Sequence, residues 1–148
     1  MTRAPPLPLE ESLGFQVRDL NRLMQRALAG RLAEAGVAPG AWYVLRVLWE
    51  EDGLTQRALA ARIGIQEPTM VIALRGMEEA GWVTRDRSEE DRRKVHVRLT
   101  PAGRALREPL LPEARAVIAR APAGLAAGET EALLALLRRA RRNLSGQG

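Results

Sequence analysis

The residues best suited to chemistry lie between Arg85 and Leu99, in the run RDRSEEDRRKVHVRL. Nine of its first ten residues are charged, and over the whole stretch six cations (Arg85, Arg87, Arg92, Arg93, Lys94 and Arg98) outnumber four anions. Guanidinium groups meet phosphates and base edges with paired hydrogen bonds. A narrow groove of duplex nucleic acid concentrates negative potential and attracts inserted Arg side chains. The plainer alternative is a solvated hairpin whose charges only keep it soluble. Catalysis has little to work with. His96 is the only His, and no nucleophile, base and orienting group can be assembled around it. Glu89, Glu90 and Asp91 fall in an exposed charged turn, not a cleft. No phosphate-cradling glycine loop and no metal-ligand cluster occurs, so neither an enzyme, a metal site nor a cofactor is expected.

The bulk numbers agree with a binding protein. The chain has 148 residues, 46% hydrophobic and 28% charged, a size and balance that favour one folded unit with a real core. Its formal charge is +5, and 22 of its 23 basic residues are Arg. A modest basic surplus suits an anionic partner, although a GC-rich genome produces the same Arg bias. There is no Cys, which excludes disulfides, thiolate metal sites and thiol redox sensing. The opening MTRAPPLPLEE lacks an apolar signal-type stretch, and no run approaches bilayer-spanning length. A cytoplasmic protein with no membrane partner is expected.

The surrounding pattern must position the charged run. Residues 1–8 hold three prolines and read as an extended arm. From Leu9 to Gly36 apolar residues recur every three to four positions, predicting a helix of about 25 residues with a continuous stripe. A second helix, Pro39 to Glu51, is apolar nearly all round and reads as central to the core. Thr55 caps a short third helix that stops at Gly64. A fourth begins at Gln66, with Pro68 in its first turn, turns Met70, Ala73, Leu74 and Met77 inward, and stops at Gly81. Two such helices joined at Gly64-Ile65 form a helix-turn-helix pattern. Val83 to Arg85 predicts a strand, the charge run its turn, and Lys94 to Leu99 the returning strand. Thr100-Pro101 starts a helix kinked near Pro109 and Pro112. A loop at 122–128 precedes a last helix with Glu129 and Glu131 at its start and four Arg near its end.

In this setting DRSEEDRRKVHVRLTPAGRAL (86–106), with EEAGWVTR (78–85) leading into it, resembles the signature of the MarR family of bacterial transcriptional regulators. The resemblance covers nearly the whole chain. It implies a mainly α fold with a small β wing: a winged helix-turn-helix with N- and C-terminal dimerisation helices. The chain then divides into an N-terminal arm and dimerisation helix (1–36), a DNA-binding domain (37–100) and C-terminal dimerisation helices (101–148). The partners it implies are double-stranded DNA, read as a palindromic operator by a homodimer, and a small anionic or aromatic effector that relieves repression. A winged-helix dimer acting in protein interaction or as a nonspecific architectural module is the alternative.

The resemblance carries over to particular residues. Arg93 corresponds to the wing Arg that enters the minor groove, with Asp91 orienting it and Arg87 and Arg92 beside it. The outward face of the fourth helix offers Gln66, Thr69, Val71, Ile72 and Arg75 to the major groove. Many members have Thr-Val-Thr-Arg where this chain reads Thr69-Met70-Val71-Ile72. Val71 and Ile72 suit thymine methyls or simple packing, so direct base readout looks thin. Thr55, Gln56 and Arg57, at a helix N-terminus, are placed to anchor phosphate. Phe15, Arg18, Arg22, Trp42, Tyr43 and Arg46 lie on the elements that would line an effector pocket. The aromatic ones serve equally well as plain core.

Overall fold

The second helix, apolar on almost every side, becomes the hub. In the computed structural model, which describes residues 2–146, α1 spans Leu13–Glu34 and α2 Pro39–Glu50. Ala41, Trp42, Val44, Leu45 and Leu48 of α2 are all buried. Leu28 and Leu32 of α1 join the same cluster. The first helix starts four residues later than its apolar spacing predicts. Ser12 takes an extended conformation and its hydroxyl accepts the Phe15 N–H at 3.3 Å. That cap confines Leu9–Glu11 to a separate 3₁₀ turn.

The helix-turn-helix forms as its punctuation predicts. Thr55 Oγ1 accepts the Ala58 N–H at 3.1 Å and opens α3, Gln56–Ile63. Gly64 adopts φ 83°, a left-handed conformation that suits glycine, and the N–H groups of Gly64 and Ile65 converge on the Ala60 carbonyl. After this turn α4, Glu67–Glu79, buries Met70, Leu74 and Met77. Strands β1, Val83–Arg87, and β2, Val95–Leu99, pair antiparallel from Val83↔Leu99 to Arg87↔Val95. The first strand therefore runs two residues beyond Arg85, because Asp86 and Arg87 find ladder partners in His96 and Val95.

Beyond the sheet the chain forms α5 (Pro101–Ala105), α6 (Arg107–Ile118) and α7 (Ala127–Leu144). The interruption falls at Leu106, not at the prolines. Pro109 has no N–H for the Ala105 carbonyl and crowds it, so the break appears one turn upstream. The last helix starts two residues before Glu129, whose carboxylate accepts the Ala126 N–H at 2.9 Å. Gly103 is buried where no other residue fits: a Cβ there would lie 2.1 Å from the Trp82 carbonyl oxygen. The Gly103 carbonyl accepts the Trp49 indole N–H at 3.0 Å, fastening α2 to α5. Packing of α1 along α6 completes the frame. Helix α7 buries no side chain, and its Leu133, Leu134, Leu136 and Leu144 remain exposed, as do the leucines of the first half of α1. Among the described residues no helix is long and apolar enough to cross a membrane.

Candidate nucleic-acid interface

The wing tip is built from backbone, the Ser88 hydroxyl, which accepts the Asp91 N–H at 3.3 Å, and one carboxylate. Ser88 N–H donates to the Lys94 carbonyl and Lys94 N–H to the Asp91 carbonyl, each at 2.9 Å. Asp91 then grips Arg93 three times. Oδ1 accepts the backbone N–H and Nε, both at 3.0 Å, and Oδ2 accepts Nη2 at 3.2 Å. The Arg93 side chain is nonetheless 91% exposed. Its base is fixed and its outer guanidinium edge is free. Arg87 donates to the Arg92 carbonyl at 3.0 Å, which leaves the Arg92 side chain exposed beside it.

Two clefts adjoin this tip and share Gln56 and Val95. One, about 440 Å³, lies between the start of α3, the start of α4 and the wing, with Thr55, Arg57, Glu67, Asp91, Arg93 and Lys94 also on its walls. The other runs between α4 and the wing, with Val71, Arg75, Glu78, Arg85 and Arg87. The fold thus brings Thr55, Gln56, Arg57, Val71, Arg75, Arg87, Asp91 and Arg93 onto one continuous surface. Gln66 occupies the N-cap position of α4 and is exposed. Thr69 and Ile72 sit on the other flank of α4, bordering an apolar groove that reaches Gly40 and Trp82.

The base of the wing is cross-braced. Arg85 is ion-paired with Glu78 of α4 and donates to Gln56 Oε1 of α3 at 3.1 Å. These partners occupy Arg85 inside the protein, although by type it belongs with the wing cations. No sequence spacing links 56, 78 and 85; only the fold brings them together. His96 is likewise structural: its Nδ1 lies 3.0 Å from the Gly53 carbonyl oxygen. Among the described residues, no group of three or more His, Asp or Glu side chains is placed to hold a metal ion.

A second site separates from the first. Trp42, Arg46 and Trp49 of α2 face Arg107, Leu111 and Arg115 of α6 across a cavity of about 210 Å³. The Arg46 guanidinium stacks 5.6 Å from the Trp42 ring centre and 5.7 Å from that of Tyr43. Of the residues predicted for an effector pocket, Trp42 and Arg46 line this cavity. Tyr43 faces a different one beside Arg141. Phe15, Arg18 and Arg22 lie on the first half of α1, outside it, and Arg22 is paired with Asp19 at 2.9 Å. Arg107, Leu111, Arg115 and Ile118 form one stripe at helical spacing, a signal the sequence shows only when the helix begins at Arg107.

A helix-turn-helix whose second helix runs straight into a two-stranded wing, with long helices before and after it, is a winged-helix protein. A family model described as the MarR family matches residues 38–95. The transcriptional regulator TtmR of Methylorubrum extorquens (strain PA1) is 33% identical over 105 residues, 71% of this chain and 54% of that protein. The organic hydroperoxide resistance transcriptional regulator of Bacillus subtilis (strain 168) is 31% identical over 102 residues, 69% of each chain. The structure of the PcaV transcriptional regulator from Streptomyces coelicolor, in complex with its natural ligand, matches with a TM-score of 0.82 at 25% identity, covering 93% of this chain and 97% of that one. The chain spans about half the length of TtmR. It belongs to the MarR family, and these curated relatives are transcriptional regulators, not enzymes.

The clamp at the tip has a titration signature. Arg93, through its side chain first and its N–H second, holds the Asp91 carboxyl below its ordinary value, with a smaller push from Lys94. A depressed folded pKa means the clamp is fully present above the unfolded aspartate value of about 3.9 and is lost as pH falls through the folded one. An NMR titration should find Asp91 titrating low, and Arg93→Ala should bring it back up. An ordinary Asp91 titration with Arg93 intact would mean that the clamp does not form in solution.

Proposed function

We propose that the chain is a homodimeric transcriptional repressor that binds a roughly palindromic DNA operator and is released by a small anionic or aromatic effector. The observation that carries the DNA reading is Arg93, held at its base by Asp91 yet 91% exposed beside clefts lined by the starts of α3 and α4. An Arg fixed in this way loses little side-chain freedom on entering a minor groove. Arg57, Arg75, Arg87, Arg92 and Lys94 surround it with positive charge, and Thr55 and Gln56 stand at a helix N-terminus suited to phosphate. Residues 37–100 form the DNA-binding unit on this reading, close to the span matched by the family model.

The dimer reading rests on unpartnered leucines. An 18-residue helix with no buried side chain requires a covering surface. The stripe of α7 (Leu133, Leu134, Leu136) and that of α1 (Leu13, Val17, Leu20) are the surfaces to be covered, with 1–36 and 101–148 as dimerisation segments. The effector reading rests on the α2–α6 cavity. It sets Arg46, Arg107 and Arg115, the second of them paired with Glu108 at 2.7 Å, against Glu50 over a floor of Trp42, Trp49 and Leu111. That chemistry suits a planar carboxylate, and the PcaV regulator, with the same fold, is in complex with a ligand. Oxidation of a Cys by a peroxide is closed to this chain, which has no Cys.

The second reading, a nonspecific architectural or protein-interaction module, is favoured by one observation: 70% exposed Ile72 stands where an Arg would contact bases. Titration of fragments from the protein's own promoter region at fixed salt separates the two. A preferred fragment should bind at least 10³-fold tighter than random duplex, the low end for specific sites; equal affinities would sink the regulator reading. Arg93→Ala should weaken binding to every sequence and flatten the salt slope by about one per bound subunit. Replacing Leu20 and Leu136 together with Glu should convert a two-chain species in sedimentation velocity into a folded single chain. For the cavity, benzoate or a hydroxybenzoate should raise the melting temperature of the wild type but not of Arg115→Ala, and should weaken binding to the preferred fragment.

A further inference from the structure

The outward face of α4 is apolar at its centre. Between residues 37 and 100 the exposed large apolar side chains are Tyr43 and Ile72. Tyr43 has Arg46 against its ring, whereas Ile72 is 70% exposed. It borders a groove walled by small residues, Gly40, Ala73 and Gly76, yet that groove does not take it in. Its own chain therefore supplies no cover.

Charge says what does cover it. Arg75 lies one turn further along α4, on the flank next to Ile72, and lines the cleft whose far wall carries Arg87 of the wing. A partner seated on this surface is an anion that must also offer an apolar group at Ile72. In the major groove of duplex DNA that group is the C5-methyl of thymine. The opposite case is penalised. A G·C pair facing Ile72 would lose water from guanine O6 and N7 and from the cytosine amino group, and isoleucine returns no hydrogen bond. The side chain thus selects by attraction to one base and by rejection of another.

We propose that Ile72 reads a thymine methyl in each operator half-site, so that this chain discriminates bases through an apolar contact in place of a guanidinium. This rests on the DNA-binding reading above. The test needs no known operator. The full-length wild-type chain is used to enrich duplexes from a library with a random core, and each enriched thymine is then replaced by deoxyuracil, which differs only by the methyl. One thymine per half-site should stand out, with a loss of about fourfold for each, the worth of one buried methyl. With Ile72→Ala the thymine and uracil duplexes should bind alike. A wild-type chain indifferent to every such replacement would overturn the proposal while leaving the regulator reading intact, and so would a difference that persists in Ile72→Ala. A library from which nothing is enriched would overturn both.

Discussion

Everything on the candidate nucleic-acid face depends on how β2 is seated. A lone two-stranded hairpin is marginal in water. Here the second strand is held on both edges. One edge pairs with β1, and the other meets the connection between α2 and α3: the Val97 N–H donates to the Leu54 carbonyl at 2.8 Å, and the Leu99 N–H to Asp52 Oδ1 at 2.9 Å. Asp52 Oδ1 also accepts the Gly53 N–H at 2.9 Å, so one carboxylate shapes the turn and docks the strand. Val97 and Leu99 are then buried in the common core, each burial contributing about 1.5–3 kcal/mol. The exposed ion pairs of the wing contribute far less. Burial fixes where the wing leaves the body; the pairs only shape its end.

That division explains why charge could accumulate at the tip. Nothing buried depends on Arg87, Arg92 or Lys94, so they are free to carry the positive potential. Arg85 differs because it stands at the wing's base. Its partners Glu78 and Gln56 belong to the two helices of the helix-turn-helix, so one guanidinium ties the base of the wing to both. Arg planarity matters here, since a Lys ammonium does not reach two partners in one plane.

Much of this was legible in the sequence because local signals and tertiary packing agreed. Thr55, Gly64, Pro68, Gly81 and the alternation from Val95 to Leu99 each mark a boundary by a mechanism confined to a few residues. The start of α1 was harder to place, since leucine spacing continues smoothly through Leu9 and Leu13 while Ser12 caps between them. The break at Leu106 required seeing that a proline acts four residues upstream. The Arg85 bridge and the α2–α6 cavity join positions far apart in the chain, and no periodicity encodes them. The Asp91–Arg93 clamp spans two residues and was readable as a pair.

The two DNA-facing elements carry different loads on the proposed reading. Phosphate and minor-groove contacts from the wing attract any duplex, fall with salt and fix orientation, but carry little sequence information. Discrimination then falls to α4, whose outward side chains near the start and middle of the helix able to donate a hydrogen bond to a base edge are few: Gln66, Thr69 and Arg75. An apolar residue among them is not a lost contact. A hydrogen bond to a base edge replaces one to water and gains modestly, whereas a wrong base left unpaired against Ile72 incurs the full desolvation cost. With affinity supplied by the wing, the recognition helix is free to act chiefly by exclusion, and one isoleucine at its centre suffices for that.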